Sequence, residues 1–84
     1  MSNINATITA KTNTSAVVDY FNGAEWIGAE VVEFRRTSYS LAPGAGSKDE
    51  QDRARIYEIA YSAASFRCAN SYDGATLNRF RWAG

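Results

Sequence analysis

The chain has no histidine and only one cysteine, Cys68, among its 84 residues. Without histidine there is no Ser-His or Cys-His pair to activate a nucleophile and no imidazole to ligate a metal. A lone cysteine cannot form an internal disulfide, which fits a reducing compartment. No apolar run approaches the ~18 residues of a membrane span. The opening stretch MSNINATITAK lacks the apolar centre of a signal peptide. A cytoplasmic location away from membranes is therefore expected. A charge excess is also missing: nine basic side chains balance nine acidic ones. Histone-like, non-specific nucleic-acid binding needs a strong positive surplus, so it is disfavoured.

Aromatic residues make up 13% of the chain and charged residues 21%, the composition of a folded domain. The length allows one compact domain, residues 1–84, which buries about 60–65% of its unfolded surface. No internal repeat or low-complexity tract is present. The charges are unevenly spread. Residues 1–34 hold Lys11 against Asp19, Glu25, Glu30 and Glu33, whereas residues 35–84 hold eight basic and five acidic side chains. An acidic side and a basic side are expected.

INATITAK alternates Ile4, Ala6, Ile8 and Ala10 with Asn5, Thr7, Thr9 and Lys11, the pattern of a half-buried strand. TNTS at 12–15 reads as a turn. AVVDYF then meets Asn22-Gly23, a hairpin signal that would place Tyr20 opposite Glu25 and Val18 opposite Ile27. A rival reading makes 15–22 a short helix ended by Gly23, but Val17 and Val18 argue against it. The returning strand is long, and Gly28 is placed to form a bulge that swaps its faces. After the breaker APGAG, Ser47 and Glu50 form a capping box, so a helix starts at Lys48. Ile56, Ile59, Ala60, Ala63 and Phe66 recur at helical spacing as its apolar stripe, widened on one flank by Tyr57, Tyr61, Ala64 and Cys68. TLNRFRW alternates as a last strand, with Phe80 and Trp82 toward the helix and Arg79 and Arg81 facing out. Asp73-Gly74 could instead pair residues 66–72 with that strand, which would shorten the helix. The expected fold is α+β: an antiparallel sheet in the order β-β-β-α-β with one amphipathic helix packed on it.

Nothing in this inventory points to catalysis, a metal or a cofactor. Asp49, Glu50 and Asp52 fit the first turn of a helix, where the dipole favours negative charge, and lack the ligand spacing of a calcium loop. Glu30 and Glu33 fall on opposite faces of a regular strand, which argues against an acid/base pair. Cys68 falls on the buried flank of the helix, as a structural thiol does. GAGSK at 44–48 has too few residues between its glycines for a P-loop. The same stretch resembles the start of the second helix of double-stranded RNA-binding domains. Asp49 and Asp52 stand where that family carries phosphate-gripping lysines, and the family's first helix has no counterpart.

A binding surface is left. Seven of the nine basic residues are arginine, and arginine and tyrosine are enriched at protein-interface hot spots. The partner-binding candidates are Arg35, Arg36, Tyr39, Tyr61, Arg79 and Arg81, with Glu25, Glu30 and Glu33 as an acidic counterpart. The size, together with a β-hairpin around FNGAEW followed by the helix SKDEQDRARIYEIA, resembles the small inhibitor proteins of phages and other mobile elements, the anti-CRISPR proteins in particular. That resemblance implies a stoichiometric inhibitor that binds a CRISPR effector and blocks target-DNA binding or nuclease recruitment. It covers architecture and carries no residue roles. A second reading is a nucleic-acid binder using Arg79, Arg81 and Trp82 with Arg35 and Arg36. A third is a small structural or assembly subunit, which would form a homo-oligomer.

Overall fold

The computed structural model describes residues 3–12, 14–34 and 48–83. The strands are β1 (Asn3–Ala10), β2 (Ser15–Asn22), β3 (Glu25–Glu33) and β4 (Thr76–Trp82), and the helix α1 (Lys48–Ser71) precedes β4. This is an α+β fold, a four-stranded sheet in the order β3-β2-β1-β4 with α1 packed on one face. Arg35, Arg36, Tyr39, the APGAG breaker and Ser47 of the expected capping box lie outside the described residues. The helix begins at Lys48, as the box predicts.

The expectation of a wholly antiparallel sheet is corrected at one edge. β1, β2 and β3 pair antiparallel, but β4 pairs parallel with β1. The cause is α1. Its 24 residues span about 36 Å at 1.5 Å per residue, enough to carry the chain back along the whole sheet. β4 therefore starts from the end at which β1 and β3 start, and it docks on the free edge of β1.

Asn22 pairs with Glu25, leaving Gly23 and Ala24 as the turn. The register thus shifts from the Tyr20–Glu25 and Val18–Ile27 pairs read from the sequence. Gly23 has φ +66° and Ala24 has no positive φ, so the glycine is the first turn residue, as in a type II′ turn. Beyond it, Phe21 pairs with Trp26 and Tyr20 with Gly28, so Ile27 is the extra residue of a bulge. The bulge does swap the faces: Glu30 and Val32 pair with Val18 and Ala16 on the helix side.

The core lies between α1 and the sheet. Ile4, Ala6 and Ile8 of β1 and Ala16, Val18 and Tyr20 of β2 are buried at every second position, the period of a strand with one covered face. The helix buries Asp52, Ile56, Ala60, Ala64 and Cys68, a run spaced by four. Such i, i+4 rows are inclined to the helix axis, so α1 lies aslant on the sheet. Its small central residues permit close approach to the larger Ile and Val side chains below. Phe66, expected in the apolar stripe, is 72% exposed. The inclined row leaves it on the far side of the helix. Residues 66–71 are helical and not part of a hairpin. Asp73 and Gly74, at φ +55° and +72°, end the helix, and the Gly74 amide donates to the Ala69 carbonyl. No helix among the described residues is long and apolar enough to cross a membrane.

Candidate functional site

A seam of rings runs where α1 meets β4. On the helix, Arg53, Tyr57 and Tyr61 recur every four residues and so lie on one flank, one above another. On β4, Phe80 and Trp82 are two apart and share the helix-facing side, paired with Ala6 and Ile8 of β1. The two rows mesh. Tyr57 and Tyr61 stack with centroids 6.4 Å apart, and Phe80 meets them edge-on at 4.9 and 5.5 Å. Both contacts to Phe80 have the T-shape that aromatic quadrupoles favour. The Tyr57 hydroxyl donates to the Phe80 carbonyl at 3.2 Å, fixing the ring to the strand. The Arg53 guanidinium sits over the Trp82 ring, 5.3 Å from its centroid. Tyr57 and Tyr61 remain 37% and 45% exposed. An open groove of about 410 Å³ lies at the upper end, lined by Glu50, Arg53, Ala54, Tyr57 and Trp82.

A bulge sets these faces. Ile4 pairs with Leu77 and Asn5 with Arg79, so Asn78 has no opposite number. Without that extra residue, Leu77 would share its face with Arg79 and Arg81. With it, Leu77, Phe80 and Trp82 all turn to the helix, and Arg79 and Arg81 are exposed on the opposite face. The arginine–aromatic stretch NRFRW thus splits between two surfaces, as the alternation predicts for its last four residues. The second reading's trio of Arg79, Arg81 and Trp82 does not share one surface.

The other candidates also scatter. Tyr61 belongs to the seam. Glu25 is exposed beside the hairpin turn, and Glu33 is exposed at the far end of β3. Glu30 is turned inward by the face swap at the bulge: it pairs with Val18 on the helix side and accepts a hydrogen bond from the Tyr20 hydroxyl. Around that pair lies a small polar network. The Arg67 guanidinium lies 5.3 Å from the Tyr20 ring centroid and 5.9 Å from that of Tyr72, and its Nε donates to the Tyr72 hydroxyl at 3.5 Å. Burial, then the bond to Glu30, pushes the Tyr20 hydroxyl well above the usual tyrosine range. Burial likewise raises the Cys68 thiol, so it stays protonated, and the bond to Tyr72 raises Arg67 further. Cys68 is fully buried, as a structural thiol should be. The network ties the end of α1 to β2 and β3.

Sequence reasoning missed Arg53 as the partner of Trp82 and missed Trp26, which is 58% exposed. The spacing of Arg53, Tyr57 and Tyr61 was the available signal for the seam. Among the described residues, no three acidic or cysteine side chains gather in the manner of a metal site. Compared with known protein families, with characterised proteins and with solved structures, the chain matches none.

Proposed function

We propose that this chain is a non-enzymatic protein-binding module whose contact surface is the α1–β4 seam. The observation that carries the reading is the ordered row Arg53, Tyr57, Tyr61 set against Phe80 and Trp82. Tyrosine, tryptophan and arginine are the residues on which interface energy concentrates. Here they are already held by one another, so little side-chain entropy would be lost on docking. The adjoining groove is large enough to take one anchoring side chain of a partner. The partner class comes from the architectural resemblance alone: a CRISPR effector complex, held in a stoichiometric complex that blocks target-DNA binding or nuclease recruitment.

The test has two stages. Tagged wild-type chain and its Tyr61→Ala and Arg53→Ala variants are used as bait against an extract of the native host. A protein retained by the wild type and released by both variants is the expected result. Equal recovery by all three baits removes the seam as the contact surface. Purified effector complexes are then titrated with the chain in a target-DNA binding and cleavage assay. Inhibition that saturates at a fixed molar ratio is expected, and unchanged binding and cleavage exclude the CRISPR partner while leaving the seam reading intact.

A further inference from the structure

The sheet face away from α1 carries a second, independent pattern. Among the described residues nothing packs on it. Pairing across the strands lays out its rows. Trp26, Phe21, Asn5 and Arg79 form one, and Ala29, Asp19, Thr7 and Arg81 the next. A third runs through Val31, Val17 and Thr9. Apolar side chains thus sit on β2 and β3 with the Asp19 carboxylate on β2, and both arginines sit on β4 at the opposite edge. Val31 is 65% exposed and Trp26 58%. The Trp26 indole donates to the Asp19 carboxylate at 3.1 Å, which holds the ring against the sheet.

We infer that this face binds a second copy of the chain in a two-fold, face-to-face dimer. The charge placement selects the axis. A two-fold axis across the strands would stack β4 on β4 and set arginines against arginines, which is repulsive. A two-fold axis along the strands puts β4 of one copy over β3 of the other and keeps each row in register with itself. Arg79 then lies over the Trp26 ring of its partner, as guanidinium groups stack on aromatic faces. Arg81 lies over Ala29 of the partner, one strand away from Asp19. Each contact is made twice, as an isologous interface requires. Sheets packed in this way stand about 10 Å apart with their strands within about 30°.

Four strands at about 4.8 Å spacing and seven residues at about 3.3 Å give a face of roughly 450 Å² per copy. Over two copies that is about 900 Å², below the ~1,200–2,000 Å² of stable interfaces, so the dimer is a weak, transient one, expected at micromolar concentrations or above. It leaves both helices, and hence both α1–β4 seams, on the outside. The inference therefore stands apart from the proposed function, and either can fail alone.

The test is sedimentation velocity on the full chain from about 1 to about 200 μM, a range that brackets micromolar association. Wild type should shift from monomer to dimer, and the shift should move to higher concentration with added salt. Two charge-altered chains follow: one with Arg79→Glu and Arg81→Glu, the other with Ala29→Lys, which sets a cation under Arg81 of the partner. Each alone should stay monomeric, with an unchanged far-ultraviolet circular dichroism spectrum. Mixed in equal amounts they should dimerise, because each edge of one chain now complements the facing edge of the other. A wild type that is monomeric throughout overturns the inference, even if it shifts an oligonucleotide in a gel. So does a wild-type dimer that both altered chains form equally well alone.

Discussion

The Tyr20 hydroxyl donates to the Glu30 carboxylate across the β2–β3 ladder, with the Arg67 guanidinium over the Tyr20 ring. Tyr20 itself is among the largest fully buried side chains. The bond therefore settles two matters at once: a phenol that burial would otherwise strand, and a half-buried carboxylate on the covered face.

Its first consequence is an alkaline limit on stability. The folded pKa of Tyr20 lies well above the unfolded value of about 10. The stabilisation is therefore complete below pH ~10 and is lost as pH rises beyond it, because the unfolded chain releases a proton that the fold retains. The Cys68 thiol, also raised, begins to contribute a slope of the same sign above its ordinary pKa of about 8.5. Urea denaturation at neutral pH and at pH ~10.5 should show a marked fall for wild type and a shallower one for Tyr20→Phe. The variant should also lose about 1–3 kcal/mol at neutral pH, since Glu30 loses its donor. An equal alkaline slope in both proteins would show that Tyr20 titrates normally.

Gly28 has a backbone φ of +157°, and a Cβ built there would come within 3.2 Å of the Tyr72 hydroxyl. Gly28→Ala should therefore destabilise by about 1–3 kcal/mol, through crowding added to backbone strain. The two parts can be separated. In a Tyr72→Phe background the hydroxyl is gone, so the penalty for Gly28→Ala should shrink to its backbone part. Chemical denaturation of the four proteins of this cycle measures the difference. A penalty identical in both backgrounds would place the whole cost in the backbone.

What was legible in the sequence was local. The alternation of Ile4, Ala6 and Ile8, the hairpin following Tyr20 and Phe21, and the helix start at Lys48 each depend on neighbours within a few residues, and each is present. The direction of β4 was not legible, because it follows from where a 24-residue helix returns the chain. The extra residues at Ile27 and Asn78 were hidden for a related reason. A bulge is defined by the partner strand, and the sequence does not name the partner. Gly28 hinted at the first bulge, and Asn78 carries no comparable signal. For the site, Tyr61 and the outward arginines could be read from periodicity, but the union of Arg53 with Trp82 needed the fold.

Phe66 and Ile56 show how far the helical stripe departs from its expected position. Both fit the i, i+3, i+4 pattern, yet Ile56 is 5% exposed and Phe66 is 72% exposed. Ile56→Ala should cost about 2–5 kcal/mol, as loss of a core side chain does. Phe66→Ala should change stability by less than about 0.5 kcal/mol. Thermal or urea unfolding of the two variants decides the matter, and a large loss at Phe66 would mean that the helix is rotated about its axis.

Adjacent residues of β4 should respond in opposite ways. Phe80 is half-buried under Tyr57 and Tyr61, whereas Arg79 and Arg81 are exposed on the other face. Phe80→Ala should cost about 2 kcal/mol, from apolar burial together with two edge-on ring contacts. Arg79→Ala and Arg81→Ala should each stay within about 0.5 kcal/mol when measured on dilute monomer. Tyr61→Ala should lose less than Phe80→Ala, and the double variant should lose less than the two single losses combined, because one ring contact is removed by both. The shortfall reads out the Tyr61–Phe80 contact directly, at about 0.5–1.5 kcal/mol for such a pair. Strict additivity would show that the two rings do not meet in solution, and the seam would then lack the preorganisation on which its binding role rests.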